Sequence, residues 1–357
     1  MGNKDLNKAK NSKQDEWYTQ LADIENELRH YKTYFKGKTV LCNCDDPYES
    51  NFFKYFAMSF NVLGLKKLIC TCYAESPISH SQLTLFERRE ADKKPYVIQI
   101  TKVEDYNGDG AIDLRDVEHL LKTKSGGPEN LKGNGDFRSE ECIEYLKEAD
   151  IVVTNPPFSL FREYVAQLME YKKDFLIIGS MNALHYKEIF PLIRDNKVWL
   201  GASIHSGDRE FRVPDSYPIK AAGWRIDENG IKYIRVKGVR WFTNIDYKAR
   251  HEELILYKKY SPDEYPKYEN FAAIDVGRVS DIPVDYKGMM GVPDNFIDQY
   301  NPDQFEILGL GSGNLAKEIG VQRNYRGRTD LAYIVNGIHK CPYSRIIIRR
   351  RQHGNKT

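Results

Sequence analysis

Residues 151–158 read Ile151-Val152-Val153-Thr154-Asn155-Pro156-Pro157-Phe158, and this octet decides the fold class. Its apolar, β-branched start is typical of a strand buried in a parallel sheet. The two prolines end that strand, because proline lacks the backbone N–H that a sheet requires. In open α/β sheets, ligands bind at the carboxyl ends of such strands. The sequence therefore predicts a ligand site directly after residue 154.

The residues that follow this strand suit a planar base with an exocyclic amino group. The Asn155 side-chain oxygen and the Pro156 carbonyl oxygen can both accept hydrogen bonds from such an amine. The Phe158 ring can stack on the base, and Pro157 stiffens the backbone between them. Asn155, Pro156, Pro157 and Phe158 are therefore the predicted catalytic residues. The alternative interpretation is a strand followed by an ordinary proline-rich turn.

The composition favours a large protein with reduced thiols. The chain has 357 residues, 41% of them hydrophobic, which suffices for one large α/β domain and a smaller one. No apolar run approaches the ~18 residues that cross a bilayer, and no signal peptide is visible, so we expect a cytoplasmic protein. Two Cys-x-Cys pairs, Cys42/Cys44 and Cys70/Cys72, lie in strand-like segments. Reduced thiols are the favoured interpretation, and a four-thiolate zinc site is the alternative.

Strand and helix patterns alternate along the first half of the chain. Predicted strands cover residues 39–44, 67–72, 150–154 and 175–180, and predicted helices cover 17–35, 50–63, 139–147 and 160–171. This alternation indicates an α/β fold with a parallel, doubly wound sheet. Strand-like segments follow at 197–204, 231–236, 239–243 and 253–260, and the last two are expected as antiparallel edge strands of that sheet.

The same patterns divide the chain into parts. Residues 1–16 are polar and predict a flexible arm, and residues 17–260 form the large α/β domain. Residues 76–134 interrupt that domain as an insertion. Residues 261–357 have shorter elements and frequent Pro, Asp, Tyr and Gly, so they predict a smaller second domain.

Three segments together resemble one enzyme family. Asn155-Pro156-Pro157-Phe158 is similar to the catalytic motif of S-adenosylmethionine-dependent methyltransferases that act on an amino nitrogen. Within that class, Asn-Pro-Pro-Phe rather than Ser-Pro-Pro-Tyr points towards adenine. With residues 41–47 (Leu-Cys-Asn-Cys-Asp-Asp-Pro) and 238–244 (Gly-Val-Arg-Trp-Phe-Thr-Asn), it resembles the EcoRI-type adenine-specific DNA methyltransferases. The resemblance implies a Rossmann-like cofactor-binding domain at 17–260 and a DNA target-recognition domain at 261–357. It also implies N6 methylation of an adenine that is flipped out of duplex DNA.

The resemblance assigns the first part of an S-adenosylmethionine site to the N-terminal region. One motif, residues 15–19, packs on the methionine part of the cofactor in that family. The first strand and its turn hold the position of a glycine-rich loop, but here Asn and Asp replace the usual glycines, since both tolerate left-handed backbone. The residues assigned in these two segments are Trp17, Tyr18, Cys42, Asn43, Cys44 and Asp45.

Other cofactor contacts are assigned closer to the catalytic motif. Asp136 would bind the amino group of the cofactor adenine, Phe137 would pack on that ring, and Asn155 borders the same site. The acid expected at the cofactor ribose after the second strand is missing. Tyr73 or Glu75 is the substitute that the sequence offers.

The C-terminal segment 321–357 has a positive charge that suits DNA phosphates. It contains nine Lys or Arg residues and one acid, Asp330. The turn made by Asn324 and Gly327 predicts a tight loop from which at least one arginine reads a guanine edge. The terminal basic run is expected to be a flexible tail that neutralises phosphates. The predicted DNA-binding residues are Arg323, Arg326, Arg328, Arg349, Arg350 and Arg351.

Residues 105–116 have the spacing of a calcium-binding loop of the EF-hand type. Oxygen-bearing side chains stand at positions 1, 3, 5, 9 and 12, glycine at position 6, and a helix is predicted at 117–121. The alternative is a self-hydrogen-bonded turn without metal. The predicted ligands of a structural Ca²⁺ are Asp105, Asn107, Asp109, Ala111 and Asp116.

Two other functions are open at this stage. Asn-Pro-Pro-aromatic motifs also serve in methylation of RNA or of protein glutamine. The missing glycines allow a DNA-binding module with a degenerate methyltransferase fold. Duplex DNA is the predicted partner, and a separately acting restriction nuclease is a second candidate.

Overall fold

The computed structural model describes residues 18–44, 46–73, 95–122, 127–205, 207–213 and 223–351. The predicted arm, Trp17, Asp45, Glu75 and part of the predicted insertion lie outside the described residues. The chain divides into two compact units, residues 1–183 with 201–245 and residues 184–200 with 246–357. No helix in the described part is long and apolar enough to cross a membrane.

The described residues form α-helices and strands throughout both units. The helices are α1 (Leu21–Leu28), α2 (Asn51–Met58), α3 (Phe60–Leu63), α4 (Leu114–Lys122), α5 (Glu140–Glu148), α6 (Phe161–Glu170), α7 (Phe190–Arg194) and α8 (Gly313–Glu318). The strands are β1 (Thr39–Cys42), β2 (Lys67–Thr71), β3 (Tyr96–Ile100), β4 (Glu129–Asn130), β5 (Ile151–Thr154), β6 (Asp174–Ser180), β7 (Trp199–Leu200), β8 (Asp208–Arg212), β9 (Arg225–Ile226), β10 (Lys232–Lys237), β11 (Val239–Thr243), β12 (Ala273–Asp275), β13 (Met289–Pro293), β14 (Phe305–Leu310), β15 (Tyr333–Val335), β16 (Ile338–Lys340) and β17 (Arg345–Arg350).

A large mixed sheet forms the centre of the first unit. Within that unit its strands follow the order β4-β3-β2-β1-β5-β6-β11. Strands β2, β1, β5 and β6 are parallel, which confirms the predicted Rossmann-like core. Strand β11 pairs antiparallel with β6, as the sequence predicted for residues 239–243. All residues of β1 and β5 are buried, because helices cover parallel sheets on both faces.

The helices differ from the sequence prediction mainly at their ends. Residues 50–63 form two helices, α2 and α3, that meet at Ser59. The first of them begins where the Ser50 hydroxyl accepts hydrogen bonds from the backbone N–H groups of Phe52 and Phe53. Its Phe52 ring packs edge-on against Trp241 of β11, with ring centroids 6.0 Å apart. This apolar contact holds the helix on the sheet.

The predicted insertion contributes to the large sheet. Strand β3 pairs antiparallel with β2, and β4 pairs antiparallel with β3. Strand β3 was not predicted, because it lies in the segment assigned to the insertion; all of its residues except Gln99 are buried. The helix expected at 117–121 is confirmed as α4.

The second unit contains a four-stranded sheet of order β12-β13-β17-β14 and a separate β15–β16 hairpin. This unit comprises residues 184–200 and 246–357, whereas the sequence placed a domain boundary at 260–261, which stays a prediction. Residues 253–260 are not a strand. Their backbone is held mostly by side chains: Leu254 exchanges hydrogen bonds with the Gln304 amide, and Tyr260 N–H donates to Asp285. The Lys258 carbonyl accepts the Val284 N–H at 2.8 Å.

The terminal basic run is not a flexible tail up to residue 350. Arg349 and Arg350 lie in β17, between β13 and β14. The cause is the preceding run of isoleucines, 346–348, which is buried in the core of the second unit. Burial of three large apolar side chains outweighs the charge of the arginines that follow.

Candidate active site

Two asparagines follow neighbouring parallel strands of the large sheet. Val40 and Leu41 of β1 pair with Ile151 and Val152 of β5, so the carboxyl ends of both strands lie at one edge. Asn43 and Asn155 come directly after these ends, and each is only 4% exposed. The predicted catalytic motif therefore lies beside the predicted cofactor turn. This edge of the sheet is the candidate site.

The tetrapeptide after β5 leads directly into a helix. Asn155 and Pro156 are buried, whereas Pro157 and Phe158 are partly exposed. The Pro157 carbonyl accepts the Leu160 N–H at 3.0 Å in a short 3-10 turn that continues into α6. The buried Asn155 amide and the partly exposed Phe158 ring thus lie on a short connection between β5 and α6.

Tyr164 of α6 fixes the first of the two asparagines, and the sequence analysis missed it. Its hydroxyl donates a 2.5 Å hydrogen bond to the Asn43 Oδ1. Burial raises the pKa of Tyr164 well above its ordinary value, so the phenol keeps its proton and remains the donor. In the sequence this residue belongs to the apolar stripe of α6 and resembles any core aromatic.

Asp46 ties the turn after β1 to the neighbouring strands. Its carboxylate accepts the Tyr96 hydroxyl at 2.5 Å and the Tyr48 N–H at 3.0 Å, and the Cys72 thiol lies 3.8 Å away. The side chain is buried. Asp46 received no role from the sequence, because its anchoring tyrosine lies fifty residues away. The cofactor assignment of Asp45, outside the described residues, stays a prediction.

The segment with Asp136 and Phe137 lies against the same edge. A Cβ on Gly135, whose φ is +78°, would come within 2.2 Å of the Cys72 carbonyl oxygen, so only glycine fits. Phe137 packs edge-on against Tyr164, with ring centroids 4.9 Å apart. The structure thus brings this segment to the turn after β1.

Asp136 itself has a partner within the protein. Arg138 donates to both of its carboxylate oxygens, at 2.9 and 2.7 Å, and this pairing lowers the pKa of Asp136. Its assignment to the cofactor adenine stays a prediction. Tyr73, assigned to the ribose, is described next to β2 and is partly exposed, and its role also stays a prediction.

Charges of both signs lie beside Tyr18, which the sequence assigned to the cofactor. Tyr18 exchanges backbone hydrogen bonds with Arg212 of β8, at 3.1 and 3.3 Å. The Arg212 guanidinium lies 3.7 Å from the Glu49 carboxylate, and Lys54 Nζ donates to the Glu49 carbonyl at 3.3 Å. Burial raises the pKa of Glu49, opposed by Arg212, and burial lowers the pKa of Lys54, opposed by Glu49. No sequence motif indicated that Glu49, Lys54 and Arg212 would lie together.

The cysteines of the two Cys-x-Cys pairs are free and buried. Cys42 and Cys70 occupy paired positions of β1 and β2. In the described ranges, no group of three or more His, Cys, Asp or Glu is placed to hold a metal ion. The structure therefore gives the zinc alternative no support.

The calcium loop receives no support either. Asp105 accepts the Gly108 and Gly110 N–H groups at 2.7 Å each, and Asn107 accepts the Asp109 N–H at 2.8 Å. The side-chain oxygens are thus engaged by backbone within the loop. Ala111 is expected to bind through its backbone carbonyl, and its N–H donates to Asp109 at 3.0 Å.

Asp116, the expected bidentate ligand, caps a helix, and its role as a metal ligand stays a prediction. Its carboxylate accepts the Asp113 N–H and the Tyr106 N–H, both at 2.9 Å, while Asp113 accepts the Arg115 N–H at 2.7 Å. This reciprocal arrangement is a capping box at the start of α4. The spacing of acidic residues that a calcium loop requires is here the same as the spacing that a capping box requires.

The arginines of the C-terminal region separate into two groups. Arg349 pairs with Glu306 at 2.5 Å, Arg350 donates to the Val284 carbonyl, and Arg351 donates to the Pro302 carbonyl at 2.7 Å. Those side chains therefore have acceptors within the protein, and their contact with DNA stays an untested prediction.

The other three arginines surround a tight loop and are exposed. Asn324 is buried, and its Oδ1 accepts the N–H groups of Arg326 and Arg328 at 2.8 and 3.3 Å. Arg323, Arg326 and Arg328 form no ion pair with any residue that the structure describes. The loop thus presents three exposed positive charges that no described carboxylate pairs with.

Comparison with known proteins identifies the family. The family model for the adenine-specific methyltransferase EcoRI matches residues 5–351, so this chain belongs to that family. The type II methyltransferase M.EcoRI of Escherichia coli is 45% identical over 98% of this chain and 97% of its own length.

Two further relatives come from mycoplasmas. The type II methyltransferase M.MpnI of Mycoplasma pneumoniae is 34% identical over 98% of both chains. M.MgeORF184P of Mycoplasma genitalium is 34% identical over 97% of this chain and 99% of its own length. No solved structure matches this chain significantly.

Gly135→Ala is expected to damage the site through the Cys72 backbone. The added Cβ would collide with a carbonyl oxygen that cannot move alone, so S-adenosylmethionine affinity should fall at least about tenfold and the melting temperature by several degrees. Calorimetric titration and thermal unfolding measure both. Gly133→Ala is the matched control, because its Cβ would meet only the flexible Glu141 side chain at 3.9 Å. Equal behaviour of the two variants would contradict the packing described here.

Asp116→Asn should lower the melting temperature, whereas a chelator should leave wild type unchanged. Backbone N–H groups lower the pKa of Asp116, so its contribution to stability is present above the unfolded pKa and is lost as pH falls through the folded pKa. Thermal unfolding from pH 7 downwards, with and without EDTA, tests both statements. Asp109→Asn, at an exposed position, is the control. A large EDTA effect would restore a metal to the loop.

Proposed function

We propose that this adenine-specific DNA methyltransferase uses Asn155 and Pro156 to orient the N6 amine of an adenine flipped out of duplex DNA. The observation that supports this most is the position of Asn155, buried after β5 at the same sheet edge as Asn43. Membership in the family supplies the class of reaction. The degenerate binding module is not retained, because the family is enzymatic and the catalytic tetrapeptide is intact.

The proposed chemistry is direct transfer from S-adenosylmethionine, which supplies an electrophilic methyl group when bound. The Asn155 Oδ1 and the Pro156 carbonyl can only accept, so they draw the two amine protons towards themselves and leave the nitrogen lone pair free to attack. The partly exposed Phe158 stacks on the base. Burial around Asn155 keeps water from competing for the same acceptors.

The residues near the turn after β1 fit such a cofactor. Its amino-acid end carries a carboxylate and an ammonium group, and Glu49, Lys54 and Arg212 offer charges of both signs beside Tyr18. The Thr19 and Thr154 hydroxyls are buried without a hydrogen-bond partner among the described residues, which is the situation that a polar ligand relieves. Phe137 supplies an aromatic face next to Tyr164.

For DNA contact, the proposal relies on Arg323, Arg326 and Arg328. Their side chains are exposed and uncompensated, whereas Arg349, Arg350 and Arg351 already bind acceptors in the protein. We further propose that the protein works in the cytoplasm, and that any cognate restriction nuclease is a separate protein.

Asn155→Ala should lower the single-turnover rate of methyl transfer by at least ~10³-fold and change the S-adenosylmethionine Kd by less than about tenfold. The amide acts on the target amine and not on the sulfonium. Rapid-quench kinetics and calorimetric titration measure the two quantities. Asn229→Ala, at an exposed turn, is the control and should match wild type. Near-normal turnover of Asn155→Ala would remove Asn155 from the mechanism.

A further inference from the structure

The β15–β16 hairpin stands apart from the sheets of its unit. Its strands pair Tyr333 with Lys340, Ile334 with His339, and Val335 with Ile338. In the described part of the chain it forms a two-stranded sheet of its own. A bridge between Tyr268 and Tyr333 and the Glu269 carboxylate, 3.0 Å from His339 Nδ1, tie it to the unit.

The tip of this hairpin is tightly specified by two residues. Asn336 and Gly337 have φ values of +51° and +75°, the left-handed pair that a two-residue hairpin turn requires. Isolated two-stranded hairpins are marginal in water. Strong turn chemistry on an element with little packing indicates that its shape serves something outside the unit.

Both faces of the hairpin expose isoleucine. Opposed residues of an antiparallel pair share a face, so Ile334 lies on the face of His339 and Ile338 on the face of Val335. Ile334 is 48% exposed and Ile338 is 63% exposed. No apolar layer covers either of them, although each would gain from burial.

The loop that carries Arg323, Arg326 and Arg328 lies against the same hairpin. The Tyr325 ring lies 4.6 Å from the His339 ring, and the Arg326 guanidinium lies 5.1 Å from the Tyr325 ring. Two carboxylates lie nearby: Asp330 accepts the Gly313 N–H at 3.2 Å, and Glu269 lies 3.0 Å from His339 Nδ1. Neither forms an ion pair with Arg323, Arg326 or Arg328. Exposed isoleucines and uncompensated arginines therefore form one surface.

We propose that the β15–β16 hairpin enters the DNA major groove with one face towards the base edges and reads part of the recognition sequence, with the isoleucine of that face, Ile334 or Ile338, against a thymine methyl group. A two-stranded ribbon fits the major groove, which is about 12 Å wide and is the groove that displays the thymine methyl. Arg323, Arg326 and Arg328 beside it meet the phosphates that border the groove. This inference rests on the proposed function, since it names the part of the DNA-binding surface that confers specificity.

The test compares Ile334→Ser/Ile338→Ser with wild type and with Ile255→Ser. Ile255 is 90% exposed in the same unit but lies outside the hairpin, so it controls for loss of a surface isoleucine. Sequencing of DNA from an expressing host first identifies the methylated site. Kd values for cognate and scrambled duplexes then come from fluorescence anisotropy at two salt concentrations.

The double variant should bind the cognate duplex about tenfold or more weakly, with the scrambled duplex within about twofold and the salt dependence unchanged. Replacing cognate thymines by deoxyuridine removes only the methyl groups. That replacement should weaken wild type and leave the double variant unaffected. Among the single variants Arg323→Gln, Arg326→Gln and Arg328→Gln, we expect some to bind both the cognate and the scrambled duplex more weakly. Each of these should lower the slope of affinity against salt by about one unit.

The outcomes separate the two proposals. Wild type that fails to methylate adenine in any duplex would defeat the proposed function. Wild type that methylates its site, with a double variant that keeps full discrimination and the deoxyuridine penalty, would defeat the hairpin inference alone. A double variant that changes only the oligomeric state would assign the surface to a second copy of this chain and would also overturn it.

Discussion

The parallel pairing of β1 with β5 is the constraint on which the site depends. It places the ends of two strands that are more than one hundred residues apart in sequence side by side, so that Asn43 and Asn155 share an edge. The other contacts described at this edge hold the turn after β1 or bring the 135–137 segment against it. A one-residue shift of this register would reverse the faces of β5 and withdraw Asn155 from the edge.

Three long-range contacts make that edge rigid. The Tyr164 hydroxyl holds Asn43, the Asp46 carboxylate joins the turn to Tyr96, and the absence of a side chain at Gly135 lets the 135–137 segment approach Cys72. Each contact joins elements from different parts of the chain. The turn after β1, which lacks the usual glycines, is thus held from outside by buried tyrosines. The missing glycines are therefore compatible with membership in an enzyme family.

The sequence predicted what is local. The octet at 151–158, the alternation of strands and helices, and strand β11 were predicted correctly, because a buried strand and a proline stop need only their own residues to be visible. Tyr164, Asp46 and Arg212 could not be assigned, since their roles depend on partners far away in the chain. One prediction failed. The flexible tail was predicted from the charge of Arg349 and Arg350, but the neighbouring isoleucines decide that both residues lie in a strand.

The most direct test of the role of this sheet edge is the identity of the methylated nucleoside. Wild-type protein would be incubated with S-adenosylmethionine labelled in its methyl group and, separately, with duplex DNA, RNA or protein, and the products would be digested and separated by mass spectrometry. An edge that accepts an amine through Asn155 and Pro156 and stacks it on Phe158 predicts label in N6-methyladenine from duplex DNA. Label in a methylated cytosine, in RNA or in glutamine, with none in DNA adenine, would contradict it.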